Sequence, residues 1–234
     1  MASWRDQAAF SNQSGCVEFV PNRLRPIICC DCMKQMFAHS SDAVSDDTMI
    51  QRALEHSQAG ERTPTKIGLG GKWSANFGTL FMGGFRAILN LPFLVEQNVH
   101  SVVNCAKGLE IFGPNYVKGK AAAKDSGIQF LELDWVDASE QLITRDSLEA
   151  AVRFLHTVLS RGESAVVHCA QGKSRSAVVT AAFLAAMQNC RIEEAMAQVQ
   201  RQRDMAEPNE GFCEQLRALQ RDKFFSSLHS SIEW

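Results

Sequence analysis

The chain has 234 residues, 45% of them hydrophobic, and a formal net charge of −2. That is enough apolar material for one well-buried domain with an appendage. A nearly balanced charge provides no global attraction for nucleic acid or anionic membrane, and neither is expected as a partner. No apolar run approaches the roughly eighteen residues of a membrane span, and the start Met1-Ala2-Ser3-Trp4-Arg5-Asp6 lacks the apolar stretch of a signal peptide. Met1-Ala2 has no glycine for myristoylation and Ser231-Ile232-Glu233-Trp234 no prenylatable cysteine. The expectation is an intracellular protein, cytoplasmic or nuclear, without a membrane anchor. The eight cysteines then read as thiols or ligands rather than a disulfide frame.

Residues 1–71 are polar with scattered apolar positions and read as an N-terminal extension. Within it, Ser45-Asp46-Asp47-Thr48 can cap a short helix carrying Met49, Ile50, Ala53 and Leu54. Cys29 and Cys32 form a CxxC pair with His39 downstream. Such residues can hold zinc, although the second CxxC of a full site is missing and free thiols remain the plainer reading. Gly68, Gly70 and Gly71 mark a junction. Strands are predicted at 79–82, 101–104, 129–133 and 165–167, with a helix near 85–96. Another helix begins near Asp146, with Leu148, Ala151, Val152, Leu155, Val158 and Leu159 on one face and Gly162 closing it. Further helices follow residue 174, span 192–202 and span 210–221, and residues 223–234 read as a tail. This alternation predicts an α/β fold, a central, largely parallel sheet with helices on both faces. The connection 107–127, with Lys118, Lys120 and the chain's only tyrosine, Tyr116, is expected either to rim the ligand cleft or to form a solvated, lysine-rich helix.

The most informative stretch is His168-Cys169-Ala170-Gln171-Gly172-Lys173-Ser174-Arg175-Ser176, between the apolar runs 165–167 and 177–184. A strand, a tight loop and a helix are implied, with the loop's N–H groups and the positive end of the helix directed at one hollow. An anion belongs there. The same dipoles and the Arg175 guanidinium favour the thiolate of Cys169, whose reference pKa is roughly 8.5. Arg175 can also grip two phosphoryl oxygens as a fork, which lysine cannot. A buried, inert cysteine is the bland alternative, but it does not account for Arg175 beside two serines. Gly172-Lys173-Ser174 is not the end of a nucleotide-binding phosphate loop, which requires glycine where Val167 stands.

His168, Cys169, Gly172, Ser174, Arg175 and Ser176 resemble the HCxxGxSRS signature of dual-specificity protein phosphatases, a branch of the cysteine-based phosphatases. Leu80-Phe81-Met82-Gly83-Gly84, Val102-Val103-Asn104-Cys105-Ala106, and Arg203 with Pro208-Asn209-Glu210-Gly211-Phe212 and Gln215-Leu216 resemble further landmarks of that family in the same order. The resemblance spans about 72–222, taken as the catalytic domain. It implies hydrolysis of phosphotyrosine and phosphoserine or phosphothreonine in a protein substrate through a phosphocysteine, without a cofactor or metal. It also implies roles for individual residues. Cys169 is the nucleophile and Arg175 the phosphoryl clamp. His168, Ala170, Gln171, Gly172, Lys173 and Ser174 line the substrate loop, which Asn209 braces or else merely caps a helix. Ser176 donates to the departing sulfur. A poor alkoxide leaving group needs an acid, and Asp137 occupies the family's position for it, with Asp134 the competitor.

Two departures bear on substrate class. Lys173 is shared with some lipid-directed relatives and favours a more anionic substrate such as a phosphoinositide, whereas Ala170 stands where those relatives carry lysine. Phosphorylated glucan and RNA 5′ phosphate are alternatives of the same chemistry. A catalytically silent phosphobinding module would lack Cys169, Arg175 or the acid. Cys105 is a candidate redox partner for Cys169, depending on which way its side chain points. Oligomeric state is not legible in the sequence.

Overall fold

Five short apolar segments pair into a single sheet in the order β1-β2-β5-β3-β4, in a computed structural model that describes residues 63–70, 73 and 77–234. The strands are β1 (Thr65–Ile67), β2 (Leu80–Gly84), β3 (Val99–Ala106), β4 (Gln129–Trp135) and β5 (Ser164–Cys169). The last four are mutually parallel, and β1 runs antiparallel to β2. Every residue of β5 is buried, as a central parallel strand covered on both faces must be. The helices are α1 (Leu91–Glu96), α2 (Pro114–Asp125), α3 (Arg145–Leu159), α4 (Arg175–Gln188), α5 (Ile192–Gln202), α6 (Glu210–Arg221) and α7 (Phe224–Ser231). The predicted α/β class and sheet are therefore present, with each strand longer than its apolar core suggested.

Local chemistry accounts for the boundaries. The expected helix over 85–96 is broken into a 3₁₀ turn (Phe85–Leu89) and α1, because Asn90 caps α1 by accepting from the Phe93 N–H and Pro92 stands in its first turn. Thr144 caps α3 by accepting from Ser147 N at 3.2 Å. The six α3 residues assigned to one face are all buried. In α4 every residue from Arg175 to Met187 is buried. Its alanines allow neighbouring elements close approach, and each fully buried valine, leucine or phenylalanine contributes about 1.5–3 kcal/mol.

Two assignments at the edges of the domain are corrected. Thr65–Ile67, read as part of the extension, forms the edge strand β1, paired Thr65 to Met82 and Ile67 to Leu80. Three residues were too few for a period-two pattern to stand out, yet Ile67 and Leu69 are buried and glutamines tie the segment down. Gln202 Oε1 accepts from Gly68 N at 2.6 Å, Gln198 donates to Gly68 O at 2.8 Å, and Gln188 donates to Leu69 O at 2.9 Å. The expected tail contains α7, which buries Phe224, Phe225 and Leu228. Trp234 then packs edge-on against His156 of α3 and Phe183 of α4, at 4.9 and 5.8 Å between ring centres. The connection 107–127 holds α2, whose Tyr116 is fully buried against Phe85, so it is not a merely solvated helix. No helix among the described residues is long and apolar enough to cross a membrane. Cys29, Cys32, His39 and the helix expected after Ser45 lie outside the described residues.

Candidate active site

Cys169 is the last residue of the central strand, placed beyond its carboxyl end, where open α/β sheets present ligands. From there the chain crosses residues 170–174 and enters α4. Gly172 makes this turn possible. Its φ is +67°, and a Cβ there would lie 2.3 Å from the Gly83 carbonyl carbon and 2.6 Å from Gly84 N. Gly83 and Gly84 end β2 beside His168 and Cys169, so the two glycine landmarks are halves of one contact. Only glycine meets both requirements, left-handed backbone and zero clearance.

The turn surrounds the thiol with donors. Gly172 N–H points at Cys169 Sγ at 3.2 Å, and Ser176 Oγ lies 3.4 Å from it. Cys169 is only 1% exposed. Burial by itself pushes its thiol up, but the Arg175 charge and the hydrogen bonds from Ser176 outweigh that, and the net shift is downward, favouring the thiolate. The opposite holds for Cys105 on β3. Burial, then the adjacent Cys169, drives its thiol well up despite Arg175, and Cys105 is held neutral.

Arg175 is 8% exposed and anchored from β4, where Nη1 donates to Trp135 O at 3.0 Å. Its Nε is buried without a hydrogen-bond acceptor among the described residues, and the Asp137 carboxylate stands 3.7 Å away. Asp137 is fixed in turn. Its Oδ1 accepts from Ser174 Oγ at 2.7 Å and from Asn209 Nδ2 at 3.0 Å. The Asn209 Oδ1 also caps α6 by accepting from Phe212 N at 3.0 Å. Asp134, the competing acid, has φ +52° and lies where the β3–β4 register shifts. It supplies a bulge, for which aspartate tolerates left-handed backbone.

His168 has Nδ1 3.3 Å from Cys169 O. Burial holds its pKa down at about 4, so the ring is neutral. Lys173, the residue expected to favour a more anionic substrate, pairs its ammonium with Glu207 at 2.5 Å. Behind the site, Asn104 donates to Glu132 at 2.7 Å and to the Tyr116 hydroxyl at 3.4 Å, and Lys120 pairs with Glu132 at 2.8 Å. Two contributors act through atoms or partners that the sequence did not announce. Trp135 acts through its carbonyl. Gln215 accepts from Ile143 N at 2.8 Å and donates to Gln141 O at 2.9 Å, fixing the loop that carries Asp137. No cluster of metal-ligating side chains occurs among the described residues.

A thiol with a lowered pKa, a buried guanidinium and a carboxyl group thus meet at the turn after β5. Comparison with known proteins agrees with that chemistry. Residues 80–222 match the model of the dual specificity phosphatase catalytic domain. Dual specificity protein phosphatase 22 of Homo sapiens is 32% identical over 155 residues, covering 66% of this chain and 75% of its own. Protein phosphatase Slingshot homolog 3 of Homo sapiens is 28% identical over 144 residues, which is 62% of this chain and 20% of that protein. In three dimensions the chain is similar to human DUSP28, with a TM-score of 0.55 at 24% identity over 73% of this chain and 99% of that one. With a catalytic-domain model matched over more than half its length, the chain belongs to the dual specificity phosphatase family.

Proposed function

We propose that Cys169, Arg175, Asp137 and Ser176 carry out phosphoryl transfer from phosphotyrosine and from phosphoserine or phosphothreonine of a protein substrate to water. A phosphoryl group entering the cradle has its oxygens held by the inward N–H groups and by the Arg175 fork. Cys169 Sγ attacks phosphorus in line, the P–O bond to the substrate breaks, and Asp137 delivers a proton to the departing oxygen. The carboxylate so formed then takes a proton from water, which attacks the phosphocysteine. As the P–S bond breaks, Ser176 Oγ–H, 3.4 Å from Sγ, stabilises the returning thiolate. Every proton and electron pair is accounted for by protein, substrate and water.

The observation that carries this reading is the meeting of Arg175 and Asp137, 3.7 Å apart, with both charges acting on the Cys169 thiol. The names of the relatives support a phosphoprotein substrate, and the pairing of Lys173 with Glu207 weakens the feature that favoured a phosphoinositide. A silent phosphobinding module is disfavoured because thiol, guanidinium and acid are all in place. The catalytic thiolate belongs in a reducing compartment. The test is phosphate release from phosphopeptides and phosphoinositides by wild type and Cys169→Ser. Loss of turnover in the variant, with vanadate binding retained and peptides preferred by wild type, is expected. Turnover surviving in Cys169→Ser overturns the mechanism, and a preference for phosphoinositides overturns the substrate class.

A further inference from the structure

A loop that turns its N–H groups inward must turn its carbonyls outward, and here those carbonyls meet donors. Ala170 O accepts from Phe85 N at 3.2 Å, and Lys173 O accepts from Glu207 N at 2.9 Å. The third donor differs in kind. Gly172 O accepts from Arg203 Nε at 2.7 Å, a charge-assisted bond from a residue only 4% exposed. Arg203 stands at the end of α5, and its other nitrogens are directed too. Nη1 donates to Thr65 Oγ1 at 2.7 Å and Nη2 to Met205 Sδ at 3.1 Å. Thr65 belongs to β1, the strand outside the boundary drawn from the sequence.

We propose that Arg203, held by Thr65, is a positioning residue for the phosphate cradle, and that β1 is thereby part of the catalytic apparatus. The physical argument concerns Gly172. It is the loop's only glycine, so the peptide joining it to Lys173 meets the smallest barrier to rotation, and rotation about Gly172 would also displace its own N–H, which points at Cys169 Sγ at 3.2 Å. Arg203 grips the carbonyl of that very peptide. A cationic donor fixes the peptide's orientation and, by polarising it, strengthens the N–H at its other end. A second, buried guanidinium is thus bonded to the loop from behind while Arg175 faces the ligand from within. Threonine at position 65 aims the fork by accepting one of its N–H groups, which a lysine at 203 would not reproduce. The contribution is indirect, since Arg203 touches neither the thiol nor the entering phosphoryl group.

This inference rests on the reading of residues 169–175 as the phosphate site, and its test separates the two. Arg203→Met, Arg203→Lys and Thr65→Val are compared with wild type in the full chain. The readings are kcat and KM for a small aryl phosphate, the inhibition constant of inorganic phosphate, and the pH midpoint of Cys169 alkylation by iodoacetamide. Thermal unfolding checks that each variant is folded. The expected results are inhibition weakened about tenfold in Arg203→Met and about threefold in Thr65→Val, the loss of one charged or one neutral hydrogen bond acting through the loop. Arg203→Lys should fall between wild type and Arg203→Met. The alkylation midpoint should move upward in the same order. A purely structural role would lower the unfolding temperature while leaving the inhibition constant and midpoint of the folded enzyme unmoved, and that outcome overturns the inference. Should Arg203→Met not fold, Thr65→Val decides alone, because it exchanges one hydroxyl for a methyl. Survival of turnover in Cys169→Ser would instead reject the phosphate-site reading itself.

Discussion

Burial and charge act in opposite directions on Cys169, and charge wins because Arg175 and Ser176 are both within reach of the sulfur. For Cys105, on the adjoining strand and equally buried, burial and the neighbouring Cys169 outweigh the Arg175 charge, and it stays a thiol. The same contrast separates the two candidate acids. Asp137 is held by Ser174 and Asn209 beside Arg175, whereas Asp134 is exposed at a bulge. Replacing Asp137 with asparagine keeps the shape and removes the transferable proton. Asp137→Asn should slow hydrolysis of alkyl phosphates by about 10²- to 10⁴-fold and that of aryl phosphates with good leaving groups much less. Steady-state kinetics on a leaving-group series measures this, and Asp134→Asn reproducing the pattern would exchange the two assignments. The choice between these aspartates was legible in the sequence only through the family resemblance, since nothing in the local pattern says which carboxylate faces Arg175.

At the scale of elements, the site is a junction of strand ends. Cys169 comes from β5, Gly83 and Gly84 from β2, the Trp135 carbonyl from β4, and α4 supplies Arg175 and Ser176. The loop after β4 brings Asp137, and α6 reaches across it. A Cβ on Gly211 of α6 would lie 2.1 Å from Ser139 O, so this approach is as close as that of Gly172 to β2. Gly172→Ala should therefore do more than add strain from a positive φ, about 1–3 kcal/mol. It must also push β2 and the loop apart. The expected result is a lower denaturant midpoint together with near-complete loss of phosphate affinity. Wild-type phosphate inhibition in that variant would show that the loop tolerates a shift away from β2. The strands themselves were visible as apolar runs. Their ends were not, because the last residues of β2, β4 and β5 include glycine, aspartate and histidine, which interrupt the apolar pattern.

For the whole molecule, a buried neutral histidine makes stability depend on pH. The His168 pKa is about 4 in the folded protein, chiefly through burial, against roughly 6.5 in an unfolded chain. Between those values the unfolded state binds a proton that the native state does not. The contribution of His168 is therefore fully present above about pH 6.5 and is lost as pH falls toward about 4. The slope is about 1.4 kcal/mol per pH unit, on the order of 3 kcal/mol in all. Urea unfolding of wild type and His168→Asn at pH 7.0 and 4.5 isolates it from the carboxylates that titrate in the same window. The variant should lose less stability between the two pH values, and equal losses would mean that His168 is not held neutral in the fold.

The sequence by itself determined the α/β class, the central strand, the phosphate-binding loop and the family, because these rest on local information. Hydrophobic runs report burial, and the spacing of Cys169, Gly172, Ser174, Arg175 and Ser176 is short enough that one turn of backbone fixes their mutual geometry. Tertiary structure alone decided what meets that loop from a distance. Glu207 engages Lys173, Asn209 and Ser174 hold Asp137, and Arg203 with Thr65 grips Gly172 from behind. These contacts join residues up to 138 positions apart, and each uses a side chain or carbonyl of ordinary type. Ser174, Arg203 and Asn209 stood in the landmark motifs, but which partner each contacts was not written there. β1 and α7 were missed for a related reason, since three residues of strand or one short aromatic helix are stable only against surfaces that the rest of the fold has already built.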